Sequence, residues 1–212
     1  MMEHEIEPIR GLPGRLPEGE AILWQGAPEW HSLARRAFST RLVAVYFALL
    51  ALWALTGSGH ARVVGLEMTV GLGVVAVGLL HLLAWASARS TVYTLTNRRV
   101  VLRVGIAVPK CINLPLVLIE SVDLASHGDG TGDVALSLSG AAKLGIVALW
   151  PHARPWMILR PQPMLRGIAD AEGVAALVAR GCLAVNPEGR MSALPATPGQ
   201  SAGGSFGEVA QA

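Results

Sequence analysis

Charged residues are scarce in this sequence and almost missing from its middle. Asp, Glu, Lys and Arg make up 15% of the 212 residues, whereas soluble domains average about 25%. The deficit lies between Leu42 and Ala88, where only Arg62 and Glu67 are charged. The mean hydropathy is +0.46 and the net charge only +2. Because no basic stripe with interleaved aromatic residues occurs either, we predict no nucleic-acid partner. The distribution instead indicates that this part of the chain lies in lipid.

Cysteine is equally rare. Cys111 and Cys182 are the two cysteines in the sequence, and neither belongs to a CxxC or Cys/His pattern. This excludes a disulfide framework and a zinc site of the usual spacing. Two reduced thiols fit a reducing compartment.

Recognisable catalytic motifs are missing as well. The sequence has no HExxH, GxSxG, Walker or protein-kinase motif. Its six histidines are scattered, at His4, His31, His60, His81, His127 and His152. We therefore interpret the chain as a non-enzyme, with no catalytic residues, no metal site and no cofactor.

Two apolar segments are long enough to cross a membrane. We predict transmembrane helix 1 over residues 39–57, a short periplasmic loop over 58–65 and transmembrane helix 2 over 66–88. Nineteen helical residues span about 28 Å, close to the ~30 Å hydrocarbon core. Basic residues lie mostly outside the loop, at Arg10, Arg15, Arg35, Arg36, Arg41, Arg89, Arg98, Arg99, Arg103 and Lys110. The positive-inside rule then predicts a multi-pass protein of the bacterial inner membrane with both termini in the cytoplasm.

Four residues inside the second span have two interpretations each. Gly71, Gly73 and Gly78 allow close helix approach, which serves packing within the chain or a homodimer. His81 is an ionisable group in a membrane helix and so a functional hypothesis. It either ligates a pigment or haem, or is a packed, hydrogen-bonded histidine.

After Arg89 the pattern changes to short alternating stretches. The segment TVYTLTNRRVVLRVG predicts a β-hairpin. We expect one face in the core, with Tyr93, Leu95, Val100, Leu102 and Val104. We expect the other face to be solvated, with Arg99, Val101 and Arg103.

Further strands and one helix follow. We predict an extended segment in which Pro115 allows only an edge strand or a place in the first residues of a strand. A hairpin turn follows at GDGTGD, whose glycines favour positive φ. The next strand alternates through Val134, Leu136 and Leu138. KLGIVALW and PWMILR predict two more short strands. Asp170 can cap a helix through Ala184 with an apolar face of Val174, Leu177, Val178 and Leu183.

Two segments flank these units. Residues 1–38 form a predicted cytoplasmic N-terminal segment, strand-like over 20–24 and with an interfacial helix over 29–38. We expect Ala21–Trp24 to pack with the domain of residues 89–185, which makes the helical hairpin an insertion into one unit. The tail, 186–212, is rich in glycine and small polar residues and is predicted to be disordered.

Several stretches resemble known families. GEAILWQGAP and YTLTNRRVVLRVG resemble bacterial pleckstrin-homology-like (PH-like) domains. Four stretches together resemble the PuhB family of photosynthetic complex assembly proteins of purple bacteria: EHEIEPIRGLPGRLPEGEAILWQGAPEW, TVYTLTNRRVV, HGDGTGDVAL and LWPHARPWMILRPQPMLR. The resemblance runs from about residue 3 to residue 184.

The resemblance implies an α+β membrane protein, with a transmembrane helical hairpin and a PH-like β-rich domain closed by a C-terminal helix. It also implies a non-catalytic assembly factor for the photosynthetic reaction centre and its antenna, with reaction-centre subunits or assembly intermediates and the lipid bilayer as partners. One alternative is a lipid- or small-ligand-binding sensor that uses Arg98, Arg99 and Arg103, which otherwise are an ordinary solvated strand face. A second alternative is a pigment or haem carrier that uses His81.

Overall fold

The computed structural model describes residues 11–12, 14–139, 145, 149–157 and 159–186. The described part of the chain has four α-helices and seven β-strands. The helices are α1 (Trp30–Arg36), α2 (Thr40–Ala54), α3 (Gly59–Ser90) and α4 (Ala171–Val185). The strands are β1 (Ile22–Gly26), β2 (Val92–Thr96), β3 (Arg99–Val104), β4 (Lys110–Pro115), β5 (Ile119–Ser126), β6 (Thr131–Leu138) and β7 (Met164–Ala169).

The long helix α3 dominates the apolar part of the molecule. At 1.5 Å per residue its 32 residues extend about 48 Å. α2 folds back on it, and Phe47 packs against Gly73, where an added Cβ would lie 2.9 Å from the Phe47 Cβ. Among the described residues, α3 alone is long and apolar enough to cross a membrane. α1 and α2 are bent by 52° relative to each other, with Ser39 between them in the left-handed conformation. Taken together, these two helices would form a second span.

The helix boundaries differ from the predicted ones. α3 begins at Gly59, so most of the predicted loop 58–65 is helical and the connection shrinks to Leu55–Ser58. α2 has 15 residues, where 19 were predicted. The loop prediction relied on polarity, but polar residues such as His60 and Arg62 do not end a helix unless Pro or a capping signal stops it.

Two antiparallel sheets form the rest of the molecule. The first has the strand order β1-β2-β3-β4, and the second β5-β6-β7. β1 pairs with β2, with Gly26 opposite Tyr93 and Trp24 opposite Leu95. The expectation that Ala21–Trp24 packs with the later domain is therefore confirmed, although the strand is Ile22–Gly26. α2 and α3 are inserted between two neighbouring strands of one sheet.

The core lies between the two sheets and α4. Its buried side chains include the predicted residues of β2, β3 and β6: Tyr93, Leu95, Val100, Leu102, Val104, Val134 and Leu136. α4 contributes Val174 and Val178, with Leu177 partly buried. Leu183, predicted on the same face, is 44% exposed, and Cys182 is buried in its place. Asp170 caps α4 as predicted, because its Oδ1 accepts a hydrogen bond from the Gly173 N–H at 3.2 Å.

The second face of the β2–β3 hairpin is only partly solvated, at Arg99 and Arg103. Val101 and Thr94 are fully buried. Gly11 lies against Val92 and Gln25, so the N-terminal segment covers part of this face. The alternation of Arg99, Val101 and Arg103 suggested solvent because it could not reveal this distant cover.

The remaining predictions for the stretch between β3 and α4 have different outcomes. β4 is an edge strand that ends at Pro115, as expected. The turn between β5 and β6 occupies residues 127–130, and Gly130 has φ +77° as expected, whereas the second half of GDGTGD already belongs to β6. Most of KLGIVALW lies outside the described residues. PWMILR does not form the predicted strand among its described residues, which include turns and bends. The segment begins with Pro155 and is followed by Pro161, and Trp156 has φ +66°, which is not a strand conformation. β7 was missed because five of its six residues are buried, which removes the alternation.

Candidate functional site at the junction of the helices and the sheets

The three arginines proposed as a binding face do not form one patch. Arg98 is exposed in the turn between β2 and β3. Arg103 lies opposite Val92, at the other end of β3, about 13 Å along the strand from Arg99. Lipid or partner binding by this set stays a prediction.

Arg99 is held by Glu20. Its Nε and Nη2 donate to the two carboxylate oxygens at 2.8 and 2.9 Å. Burial alone would raise the pKa of Glu20, but the hydrogen bonds from Arg99 and Thr96 lower it overall. With the Glu20 side chain only 2% exposed, this bidentate pair serves to fasten the segment before β1 to the β2–β3 turn. Glu20 carries no local sequence signal that would predict this partner.

His81 lies where α3 meets α1. Its Nδ1 donates to the Val77 carbonyl at 2.8 Å, with the tautomer inferred from that acceptor. The Trp30 ring lies edge-on at 6.5 Å between centroids. Nε2 is then the nitrogen that could bind a metal, so the geometry fits both interpretations of His81. Among the described residues no group of three or more His, Cys, Asp or Glu could hold a metal ion.

α1 connects α3 to the second sheet. On one side Leu33, Ala34 and Phe38 pack on Ala84 and Ala88 of α3. On the other side, three polar contacts reach the sheet. Glu29 N–H donates to the Gly167 carbonyl at 2.7 Å, the Ser32 and Thr131 hydroxyls are 3.1 Å apart, and Arg35 pairs with Asp129 at 3.0 Å. These contacts fix the sheets relative to the end of α3.

An open groove of about 640 Å³ lies between α1 and the β5–β6 turn. Its lining residues are Glu29, His31, Ser32, Arg35, Asp129, Gly130, Thr131 and Ala169. A hydrogen bond from the Thr131 hydroxyl is the main reason that the pKa of Asp129 is lowered. The carboxylate is therefore kept charged opposite Arg35.

A buried chain of hydrogen bonds crosses the junction. The Tyr93 hydroxyl is 2.7 Å from His152 Nδ1, and His152 Nε2 is 3.1 Å from the Thr91 hydroxyl. The Thr91 hydroxyl donates to the Ser87 carbonyl at 2.7 Å, and the Arg166 N–H donates to the Tyr93 hydroxyl at 3.2 Å. The last turn of α3 is thereby linked to the core of the domain.

The hydrogen-bond chain fixes the tautomer of His152. Because the Thr91 hydroxyl gives its proton to Ser87, it accepts from His152 Nε2–H, which leaves Nδ1 to accept from Tyr93. A protonated ring would need an acceptor at Nδ1 instead. Burial, together with Arg166, lowers the pKa of His152 to about 3. Burial also raises the pKa of Tyr93, so both groups are neutral at physiological pH.

The guanidinium of Arg166 is the charged group next to this hydrogen-bond chain. Its Nη2 donates to the Ala153 carbonyl at 3.0 Å, while its Nε and the Nε2 of His127 are buried without a hydrogen bond among the described residues. Burial lowers the pKa of Arg166, and Asp133 opposes that effect. The local sequence around His152 or Arg166 does not predict that these residues meet, since they come from four separate segments. The segments are those of Thr91 and Tyr93, of His127 and Asp133, of His152, and of Arg166.

Comparison with known proteins adds two findings. The bacterial PH domain family matches residues 37–181. The protein named "Uncharacterized 23.7 kDa protein in puhA 5'region" of Rhodobacter capsulatus is 39% identical over 204 residues, which cover 92% of this chain and 95% of the relative. No solved structure is significantly similar to the chain.

Proposed function

The chain belongs to the bacterial PH domain family, and from that premise we propose that it is a non-catalytic, membrane-anchored assembly factor for the photosynthetic reaction centre and its antenna. One observation carries the proposal: the relative that shares nearly its whole length is named as a protein of the puhA 5' region. The finer assignment, membership of the PuhB family, is part of the same proposal and rests on the stretches quoted above.

The anchor in this proposal is a helical hairpin. On α3 the exposed apolar strip includes Leu72, Leu79, Leu82 and Trp85, and Arg89 follows it, with its guanidinium 5.7 Å from the Trp85 ring centroid. From Leu66 to Trp85 the helix rises about 29 Å, which matches a bilayer core. α2, extended by α1 beyond a bend, would be the second crossing, so that both termini are cytoplasmic.

The proposed partners are reaction-centre subunits or assembly intermediates, met in the inner membrane or at its cytoplasmic surface. A domain held rigidly at the end of α3 by α1 and by the hydrogen bonds of His152 can present its surface at a constant height above the lipid.

The absence of catalysis is proposed from the sequence, which lacks a recognised motif. The Tyr93–His152 pair lies inside the core, where a substrate would not reach it.

The test is a near-infrared absorbance spectrum of membranes from a strain that lacks this gene, beside wild type and a complemented strain. We expect selective loss of the reaction-centre and associated antenna bands, restored by complementation. Unchanged bands under photosynthetic growth would contradict the assembly role and leave only the family and the fold.

The two alternatives make separate demands. For the lipid sensor, Arg98→Ala tests the exposed arginine without breaking the Glu20–Arg99 pair, and reduced binding to anionic liposomes would favour it. For the pigment or haem carrier, the purified protein must absorb visible or near-infrared light, and His81→Leu must remove that absorbance. A colourless wild type would contradict the carrier.

A further inference from the structure

We propose that the turn between β3 and β4, Gly105–Pro109, is a second membrane contact, with Ile106 and Val108 inserted into the lipid interface beside the cytoplasmic end of α3. The inference rests on the proposed membrane anchor and adds a surface to it. It concerns the end of β3 opposite Arg98 and Arg99, so that of the three predicted binding arginines only Arg103 lies near it.

Strand register places this turn beside α3. The last turn of α3 closes with the Thr91 N–H donating to the Ser87 carbonyl at 3.0 Å, and β2 begins at the next residue. Val92 is opposite Arg103 in the antiparallel ladder. The ladder continued by one residue brings Thr91 opposite Val104, so the turn starts within about 5 Å of the helix end.

The tip of the turn is apolar and exposed. Ile106 is 48% exposed and Val108 is 67% exposed, although the turn has only five residues. Gly105 has φ +118°, and a Cβ at that position would collide with the Val108 carbonyl, so the turn is tightly folded. A small rigid loop that holds two branched apolar side chains in the open is costly in water unless an apolar phase receives them.

Charges around the tip suit the surface of an anionic bilayer. Lys110 is exposed at the start of β4, opposite Val104. Arg89 is exposed on the last turn of α3. An apolar tip with basic residues at its base can bury side chains among acyl chains while its cations stay at the phosphates.

Continuity with α3 favours lipid over a protein partner. The exposed strip of Leu79, Leu82 and Trp85 ends at Arg89. Tryptophan and arginine in that order mark a membrane–water interface. Ser90 lies directly after Arg89, and the turn lies beside it, so Ile106 and Val108 extend the apolar strip at the level where the bilayer begins.

Depth-dependent fluorescence quenching of the full-length chain in nanodiscs tests the inference. The nanodiscs contain phosphatidylcholine and phosphatidylglycerol, with nitroxide-labelled lipid near the headgroup or deep in the acyl chains. Val108→Cys is labelled with an environment-sensitive nitrobenzoxadiazole dye in a Cys111→Ser background, in which the remaining Cys182 is buried. The matched control is Arg98→Cys, exposed about 20 Å away at the other end of β3. Leu72→Cys, exposed on α3, reports the anchor.

We expect blue-shifted emission at position 108 and a several-fold greater loss of its fluorescence to the shallow quencher than at position 98. Position 108 behaving like position 98, while the deep quencher reaches the label at position 72, would overturn this inference and leave the anchor intact. A label at position 72 that neither quencher reaches would overturn the anchor as well. An emission shift at 108 in native membrane vesicles but not in pure lipid would show that a protein covers the turn, which also overturns the lipid assignment.

Discussion

At the scale of single residues, His152 connects the end of α3 to the domain core. It contacts Thr91 on one side and Tyr93 on the other, and 1% of its surface is exposed. A neutral ring satisfies both neighbours, whereas a protonated ring would leave Nδ1–H facing the proton of Tyr93. The folded protein therefore resists protonation at this position.

Acid is expected to destabilise the protein through His152. Its folded pKa of about 3 lies below the unfolded value of roughly 6.5, so between these pH values the unfolded chain binds the proton and the folded chain does not. The free energy of unfolding should fall by up to about 1.4 kcal/mol per pH unit in that window. Chemical denaturation of the detergent-solubilised protein at several pH values measures it.

The matched variants are His152→Gln and His31→Gln. The first removes the titrating group, so the fall in unfolding free energy below pH 6.5 should become shallower, even though the variant is less stable at neutral pH. The second changes an exposed histidine on α1 and should keep the wild-type slope. Equal slopes in His152→Gln and wild type would show that His152 does not control acid stability.

At the scale of elements, the packing of α2 on α3 depends on one of the three glycines in the second span. Gly73 is buried against Phe47. Gly71 and Gly78 have nothing within 4 Å of an added Cβ. Packing within the chain therefore explains Gly73, while Gly71 and Gly78 have room for a neighbouring helix, so the homodimer stays a prediction.

Alanine at these positions should have opposite effects. Gly73→Ala forces Phe47 to move and should lower the free energy of unfolding by about 1–3 kcal/mol. The methyl group added by Gly71→Ala would lie in open space. This variant should leave the free energy of unfolding unchanged or raise it by up to about 1 kcal/mol, because alanine favours the helix. Titration of both variants with a denaturing detergent compares them. A loss of stability in Gly71→Ala as large as in Gly73→Ala would contradict this packing.

At the scale of the whole molecule, the domain is discontinuous in sequence. β1 precedes the helices and β2 follows them, yet the two strands pair. α1 packs on the end of α3 and on the second sheet. α2 and α3 are thus inserted between two paired strands of the first sheet, which explains why a β-hairpin follows α3 with a single residue between them.

Residues 90–186 expressed alone should therefore fail to form a stable domain. Without β1 the strand β2 becomes an open edge, and without α1 the second sheet loses its cover. A chain of residues 14–186 in which a short Gly/Ser linker replaces residues 40–79 keeps both elements and should fold. Dispersed amide signals in a two-dimensional NMR spectrum distinguish a folded domain from an unfolded chain. Dispersed signals from residues 90–186 alone would show that β1 and α1 are dispensable.

Local pattern was sufficient for much of the fold. Alternation identified the core face of β2, β3 and β6, and the residue before α4 was recognised as its cap. These features depend on neighbours in sequence, since side chains alternate along a strand and a cap bonds to the residue three positions on. The apolar segments and the resemblance to PH-like domains were likewise readable from the chain, and membership of the bacterial PH domain family is confirmed.

Contacts between distant segments could not be read in the same way. Val101 was expected in solvent because Arg99 and Arg103 lie beside it on the same strand face, but it is fully buried, and the N-terminal segment at Gly11 covers the neighbouring part of that face. Arg99 was expected on an open face, yet Glu20 holds it. β7 shows no alternation because it is covered on both sides.

The sequence by itself therefore determined which segments are apolar, which are strands with one core face, and which family the chain belongs to. Those properties follow from residue type and spacing. Only the tertiary structure decided that β1 completes the first sheet, that α1 joins the helices to the domain, and that His152, Tyr93 and Thr91 form one buried chain. Such contacts join residues from about 60 to almost 140 positions apart, and their partners are chosen by burial and hydrogen-bond geometry, which exist only after the chain has folded.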